Sequence, residues 1–218
     1  MARFLVSRAW QTLTNEGPLS LFRAARRRIY DRHRSVWYYL PLDESLKITK
    51  PDFDGWLDFD NPQKVLDWIA ARKIPGTDDP VEIARMQERG HQFVGIMDGE
   101  RLIGYIKLGF DLVYVFDYGI DIQMPPGDFF VLDIYVGPEM RGRGAGPFLV
   151  TAASVEMRNR EFNRGVMHVH DHIDKTPMHR TCARTGYREI GRVDYRSICG
   201  RKIFRPHPST FLGTGDHN

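Results

Sequence analysis

The sequence predicts a mixed α/β fold, a sheet with helices packed on it, and three observations lead there. Asp98-Gly99 stands between two apolar runs, 92–97 and 101–108, and that pair favours the positive φ angles of a tight hairpin turn. Residues 129–136 are nearly all apolar, as a strand buried on both faces requires. This run leads through the glycine-rich stretch Arg141-Gly142-Arg143-Gly144-Ala145-Gly146 into helical periodicity over 147–160, with Phe148, Ala152, Val155 and Asn159 along one side.

The remaining elements follow in chain order. Residues 19–35 predict a helix, with Leu21, Phe22, Ala25 and Ile29 on one narrow face and arginines over most of the rest. Residues 36–42 form an aromatic extended piece broken by Pro41, and 43–54 a polar loop. Regular patterning begins at Trp56. Asn61-Pro62 supplies a cap and a first-turn proline for a helix whose apolar face is Val65, Leu66, Ile69 and Ala70. Pro80 opens a second short helix that runs to about Glu88. After the 92–108 hairpin, residues 112–120 continue or repeat a strand. Beyond the glycine-rich loop, 166–173 is another strand. Thr176-Pro177 starts a helix that Gly186 ends, and two strands follow over 187–196 and 198–204. The tail 206–218 is read as disordered.

Composition bounds the function. The chain has 218 residues, 42% hydrophobic and 12% aromatic, which fits one domain of ordinary size with a real core rather than a disordered chain. No stretch approaches the roughly 18 uninterrupted apolar residues of a membrane span. The opening segment lacks the apolar core and cleavage site of a secretory signal. Two cysteines, Cys182 and Cys199, are too few for a disulfide framework and lack zinc-site spacing, so the expected location is cytoplasmic, with reduced thiols. The net charge of +3 is uneven: residues 1–35 hold eight arginines and two acids, which makes that segment +6 and the remainder −3. The basic character therefore belongs to an N-terminal arm.

The chemistry sits in residues 136–150, VGPEMRGRGAGPFLV. A buried strand ends at Val136, Pro138 cannot continue a ladder, three glycines follow within five positions, and a helix starts. Glycine allows close backbone approach and positive φ. A new helix offers unpaired N–H groups and the positive end of its dipole. Together they favour a phosphate or pyrophosphate, with Arg141 and Arg143 adding charge; the plain alternative is a tight turn. The spacing matches neither GxGxxG nor GxxxxGK[ST].

The pattern Arg-x-x-Gly-x-Gly from Arg141 to Gly146, after a strand ending in Val-x-Pro, resembles the GNAT superfamily of N-acyltransferases. Residues 172–191, with Gly186-Tyr187 closing a helix, are similar to that family's second block. The resemblance is specific over 129–190, weaker over 56–128, and does not cover 1–50. It implies a mostly antiparallel sheet with a splayed central parallel strand pair and helices on both faces. On this reading 51–205 is the acyltransferase domain and 1–50 a basic helical extension. It further implies acetyl-CoA, or another acyl-CoA, as co-substrate. The pyrophosphate would lie on Arg141, Gly142, Arg143, Gly144, Ala145 and Gly146, and the pantetheine arm along Ile134, Tyr135 and Val136, where a backbone N–H would polarise the thioester carbonyl.

The implied acceptor is a small-molecule or peptide amine that attacks the thioester directly, which needs a base and an acid. Asp133, a carboxylate inside an apolar strand, is the candidate base; the alternative is a structural partner for an arginine or an amide. Asp128 and Asp171 stand in reserve. The family's usual acid, a tyrosine four residues before the terminal glycine, falls here on Cys182. A thiol, with an ordinary pKa near 8.5, can protonate a thiolate, but cysteine is also among the most buried residue types. His168, His170 and His172 alternate and so share one strand face. They line the acceptor cleft, with His170 a second candidate base, or cover a polar face; the expectation for metal is none. The arginine-rich arm suits an acidic membrane surface, an acyl carrier protein bringing a longer acyl chain, a dimer contact, or plain solvation. Nucleic acid is disfavoured because no reading motif is present and the body is acidic.

Overall fold

The computed structural model describes residues 30–72, 80–170, 177–198 and 201–212. In chain order these form β1 (Tyr30–Pro41), β2 (Gly55–Asp58), α1 (Pro62–Arg72), α2 (Pro80–Glu88), β3 (Gln92–Asp98), β4 (Arg101–Gly109), β5 (Leu112–Val115), β6 (Ile120–Gln123), β7 (Asp128–Val136), α3 (Ala145–Asn159), β8 (Arg164–His170), α4 (Pro177–Arg184), β9 (Arg188–Ile198) and β10 (Arg201–Arg205). The main sheet runs β10-β9-β1-β8-β7-β4-β3-β2, and β5 pairs with β6 in a separate hairpin. Every pairing in the main sheet is antiparallel except β7 with β8.

The strand periodicity of two sorts side chains onto two faces. On one face Phe129, Val131, Met167 and Val169 meet Phe148, Leu149, Ala153 and Met157 of α3. On the other, Phe93, Met97 and Tyr105 take Val65 and Ile69 of α1 and Met86 of α2. Further along that second face, Trp37, Phe130, Val166 and Val193 take Val113, Val115, Tyr118 and Ile122 of the β5–β6 hairpin. Tyr118 anchors the hairpin: it is fully buried, hydrogen-bonds the Ser35 hydroxyl, and accepts a hydrogen bond from Trp37 Nε1 at 3.2 Å.

Most elements lie where patterning placed them: the Asp98-Gly99 hairpin, the helix opened by Pro62, and the helix after the glycine-rich loop. Three segments differ. Residues 30–35, predicted as the end of a helix, are strand, because β1 pairs with β8 on one side and β9 on the other. The sheet thus reaches into the segment assigned to the extension. The run 112–120 is not one strand: it turns at 116–119 and returns as β6. The tail is ordered through Leu212, with a 3-10 turn at Pro208–Phe211 and Leu212 buried in the cluster around Trp37. The rest of the predicted basic helix, with Asp171, His172 and Cys199, lies outside the described residues. Among the described residues no helix is long and apolar enough to cross a membrane.

Candidate active site

The parallel ladder of β7 and β8 is short. Its last pair is Val131 with Met167, while β7 stays paired to β4 as far as Val136. From Leu132 to Val136 the β8-facing edge of β7 therefore has no strand beside it among the described residues. The β4 register also shifts here: Lys107 faces Asp133 and Leu108 faces Val131, so Leu132 is the extra residue of a bulge. Bulges re-aim side chains and backbone groups next to sites. The splay inferred from sequence is thus a feature of the sheet.

A groove of about 670 Å³ opens from that edge. It is lined by Ile134, Tyr135 and Val136, by Arg141, Gly142, Gly144, Ala145 and Gly146, and by Pro177, Met178, Arg180, Thr181 and Arg184 of α4. Gly144 caps α3 with φ 82°, a conformation that costs a residue with a side chain about 1–2 kcal/mol. The first α3 hydrogen bond runs from Phe148 N to Gly144 O at 3.0 Å. The N–H groups of Ala145 and Gly146 precede it and border the groove. A Cβ at Gly146 would meet only Thr181 Oγ1, at 3.7 Å.

Of the predicted cofactor loop, only Arg143 does not line the groove. Its guanidinium donates to the Asp52 carbonyl at 2.6 Å, and its own carbonyl accepts from Asp52 N at 3.0 Å. Arg143 therefore staples the loop to the segment before β2. Arg141 donates from Nε to Val136 O at 3.3 Å. The Glu139 carboxylate, close to the loop in sequence, is drawn off by Arg72 at 2.9 Å and Arg101 at 3.0 Å. Sequence reasoning missed Arg180 and Arg184. Their spacing of four puts them on one face of α4, a signal that was present but overshadowed by the Gly186-Tyr187 ending of the same block.

The candidate catalytic residues fall in different surroundings. Asp133, about a third exposed, follows the bulge and accepts a hydrogen bond from Tyr105 OH at 2.7 Å. Lys107 Nζ, itself buried, lies 3.7 Å away. The carboxylate is oriented, yet open on one side. Asp128 is consumed by Arg164, whose Nε is 2.9 Å from it. His170 Nε2 is 2.8 Å from Asp117 Oδ2, so it is held by a residue that sequence reasoning passed over inside an apolar run. Cys182 is fully buried, with Sγ 3.5 Å from Met167 Sδ, and burial pushes its thiol up to about 12. It packs in the core beneath α4 and does not line the groove. Cys182→Ala is therefore expected to leave kcat unchanged and to cost stability on the order of 1 kcal/mol, read by steady-state kinetics and urea unfolding. A large fall in kcat with normal stability would return the acid role to the thiol.

Known proteins share this fold. A family model described as the acetyltransferase (GNAT) family matches residues 51–187, more than half of the chain. The chain is similar in structure to a GCN5-related N-acetyltransferase from Sphaerobacter thermophilus, with 15% identity, TM-score 0.55, and coverage of 86% of this chain and 58% of that one. It is also similar to a tandem GNAT protein from the clavulanic acid biosynthesis pathway, with 16% identity, TM-score 0.53, and coverage of 86% and 60%. A functionally unknown conserved protein from Staphylococcus epidermidis gives 13% identity, TM-score 0.51, and coverage of 81% and 65%. The chain thus spans less than two thirds of the length of each of these. No curated protein matches the sequence. With the family match running from the loop before β2 to the end of the α4 block, this chain belongs to the GNAT acetyltransferase family.

Proposed function

We propose that the protein is an N-acyltransferase that moves an acetyl group from acetyl-CoA to a primary amine by direct attack on the thioester. The groove beside the open edge of β7 carries this reading. It joins a strand edge able to pair with an extended amide-bearing arm to a helix start and three arginines suited to a pyrophosphate. Backbone groups of Ile134, Tyr135 and Val136 would hold the pantetheine, and one of their N–H groups would polarise the carbonyl as charge develops on its oxygen. Ala145 and Gly146 would bind the pyrophosphate through backbone N–H, with Arg141, Arg180 and Arg184 around it.

Asp133 sits on the same strand as the pantetheine edge, but its partners Tyr105 and Lys107 belong to β4. It would accept the ammonium proton from the acceptor as the amine attacks. Attack makes the C–N bond, the C–S bond breaks, and CoA leaves as thiolate. Binding on the second face, between α1–α2 and the β5–β6 hairpin, would bring a small-molecule or peptide amine to this carboxylate. The test is amine-dependent CoA release, followed with a thiol reagent over a panel of primary amines and peptides, with acetyl-CoA beside longer acyl-CoAs. Release with acetyl-CoA and at least one amine is expected. Turnover only with long chains would favour transfer of a longer acyl group. Tight acetyl-CoA binding without turnover of any amine would indicate a non-catalytic acyl-CoA-binding module.

A further inference from the structure

Three donor atoms converge where β8 runs on past its last pairing with β7. His168 Nε2 lies 2.9 Å and His170 Nε2 2.8 Å from the same oxygen, Asp117 Oδ2, and one ligand atom from each residue falls within 4.8 Å of the others. Their placement is built. The histidines stand two apart on β8 and so share a face, and β1 pairs with both, Trp37 with His168 and Ser35 with His170. His168 is stacked on Trp37 at 5.6 Å. Asp117 comes from the β5–β6 turn, next to Tyr118, whose buried ring locks the turn onto the sheet.

As a hydrogen-bond arrangement the convergence is poorly satisfied. Both rings must carry their proton on Nε2 to donate to one oxygen, which leaves Nδ1 as the acceptor. His168 Nδ1 is buried and has no hydrogen-bond partner among the described residues. The catalytically useful nitrogen of that ring would thus face the core, where no substrate reaches it. Two imidazole nitrogens at 2.9 and 2.8 Å from one carboxylate oxygen, with all three donor atoms within 4.8 Å of one another, also describe one face of a metal coordination sphere. Ligands about 2.1 Å from an ion stand roughly 3 Å apart at octahedral angles and roughly 3.4 Å apart at tetrahedral ones, so a bound ion would spread these contacts by at most about half an ångström. Asp117 remains about 39% exposed, so the fourth side of such a sphere is open to solvent.

We infer that Asp117, His168 and His170 form a binding site for one divalent transition-metal ion of the zinc class, clamping the β5–β6 turn to β8 and leaving an open coordination position. Imidazole with carboxylate selects this class over magnesium or calcium, which take oxygen ligands. Three protein ligands with an open position are the arrangement of metals that also bind a small ligand. The site does not depend on the groove or on acyl transfer, and its test uses neither.

The experiment is titration of untagged, chelator-treated full-length protein with Zn(II) by calorimetry and with Co(II) by visible absorption. One equivalent is expected to bind, with Co(II) bands of low-symmetry coordination and a raised melting temperature. Asp117→Asn, nearly isosteric and in an exposed turn, and His170→Ala should each weaken binding at least about ten-fold, since even changes beyond the direct ligands cost 10–100-fold. His207→Ala, at a surface histidine bonded to Ser209, should bind as wild type does. Absence of saturable one-to-one binding by the wild type overturns the inference. So does binding that survives in the Asp117→Asn, His170→Ala double variant, because circular dichroism on the same samples separates loss of fold from loss of ligands.

Discussion

Gly146→Glu is expected to abolish acetyl-CoA binding while leaving the protein folded. The position has no positive φ requirement, and a Cβ there makes only an ordinary contact with Thr181, so the variant carries little strain. A carboxylate in the first turn of α3 even favours the helix through its dipole. The same charge would stand where the pyrophosphate needs N–H donors, and hydrogen bonds to charged groups contribute about 1.5–3 kcal/mol each. Affinity should therefore fall at least ~100-fold by calorimetry, with an unchanged melting temperature. Gly144→Glu mixes two effects, because φ is 82° and a Cβ would press on Pro51 Cα at 3.3 Å. Gly146→Ala, lacking the charge, should bind nearly as wild type. Wild-type affinity in Gly146→Glu would remove the cofactor from this groove.

The second large effect concerns Asp133. Asp133→Asn keeps the shape and can still pair with Tyr105, but it cannot take a proton. With an amine substrate in hand, kcat is expected to fall by about 10²–10⁴, with the acetyl-CoA Kd unchanged. Tyr105→Phe removes only the group that orients the carboxylate and should fall between the two. Full activity in Asp133→Asn would move the base across the divergence of β7 and β8 to His170. That outcome would also require His170 to let go of Asp117.

The groove beside β7 was half legible in the sequence because half of it is local. A strand, a glycine-rich turn and a helix start are consecutive, and their chemistry can be read from one stretch of fifteen residues. The other wall, Arg180 and Arg184, comes from a helix whose facing partner no local pattern names. The same limit explains the misread strand. Arg32 and Arg34 look like the polar side of a helix until Asp194 is seen on the neighbouring strand, 2.9 Å from Arg32 and 3.5 Å from Arg34. The period-two alternation was there, but a strand hidden beneath arginines is recognised by what pairs with it. Asp117 was missed for a related reason: the apolar run 112–120 reads as a continuing strand, and only the hairpin turn at 116–119 brings the acid to two histidines. Cys182, in contrast, was placed by analogy, and packing assigns it to the core.

The position of β1 has a consequence for how the chain is made. Both of its neighbours in the sheet, β8 and β9, lie more than a hundred residues downstream. At synthesis rates of about 5–20 residues per second, β1 waits on the order of ten seconds for either edge to be covered. During that time Val36-Trp37-Tyr38-Tyr39-Leu40 is an aromatic strand with two open edges, the kind of segment that recruits a second chain. Charges beside such a segment discourage that recruitment, and Arg32 and Arg34 stand just before it. The residues that disguise the strand in the sequence thus also guard it on the ribosome, and only later find Asp194.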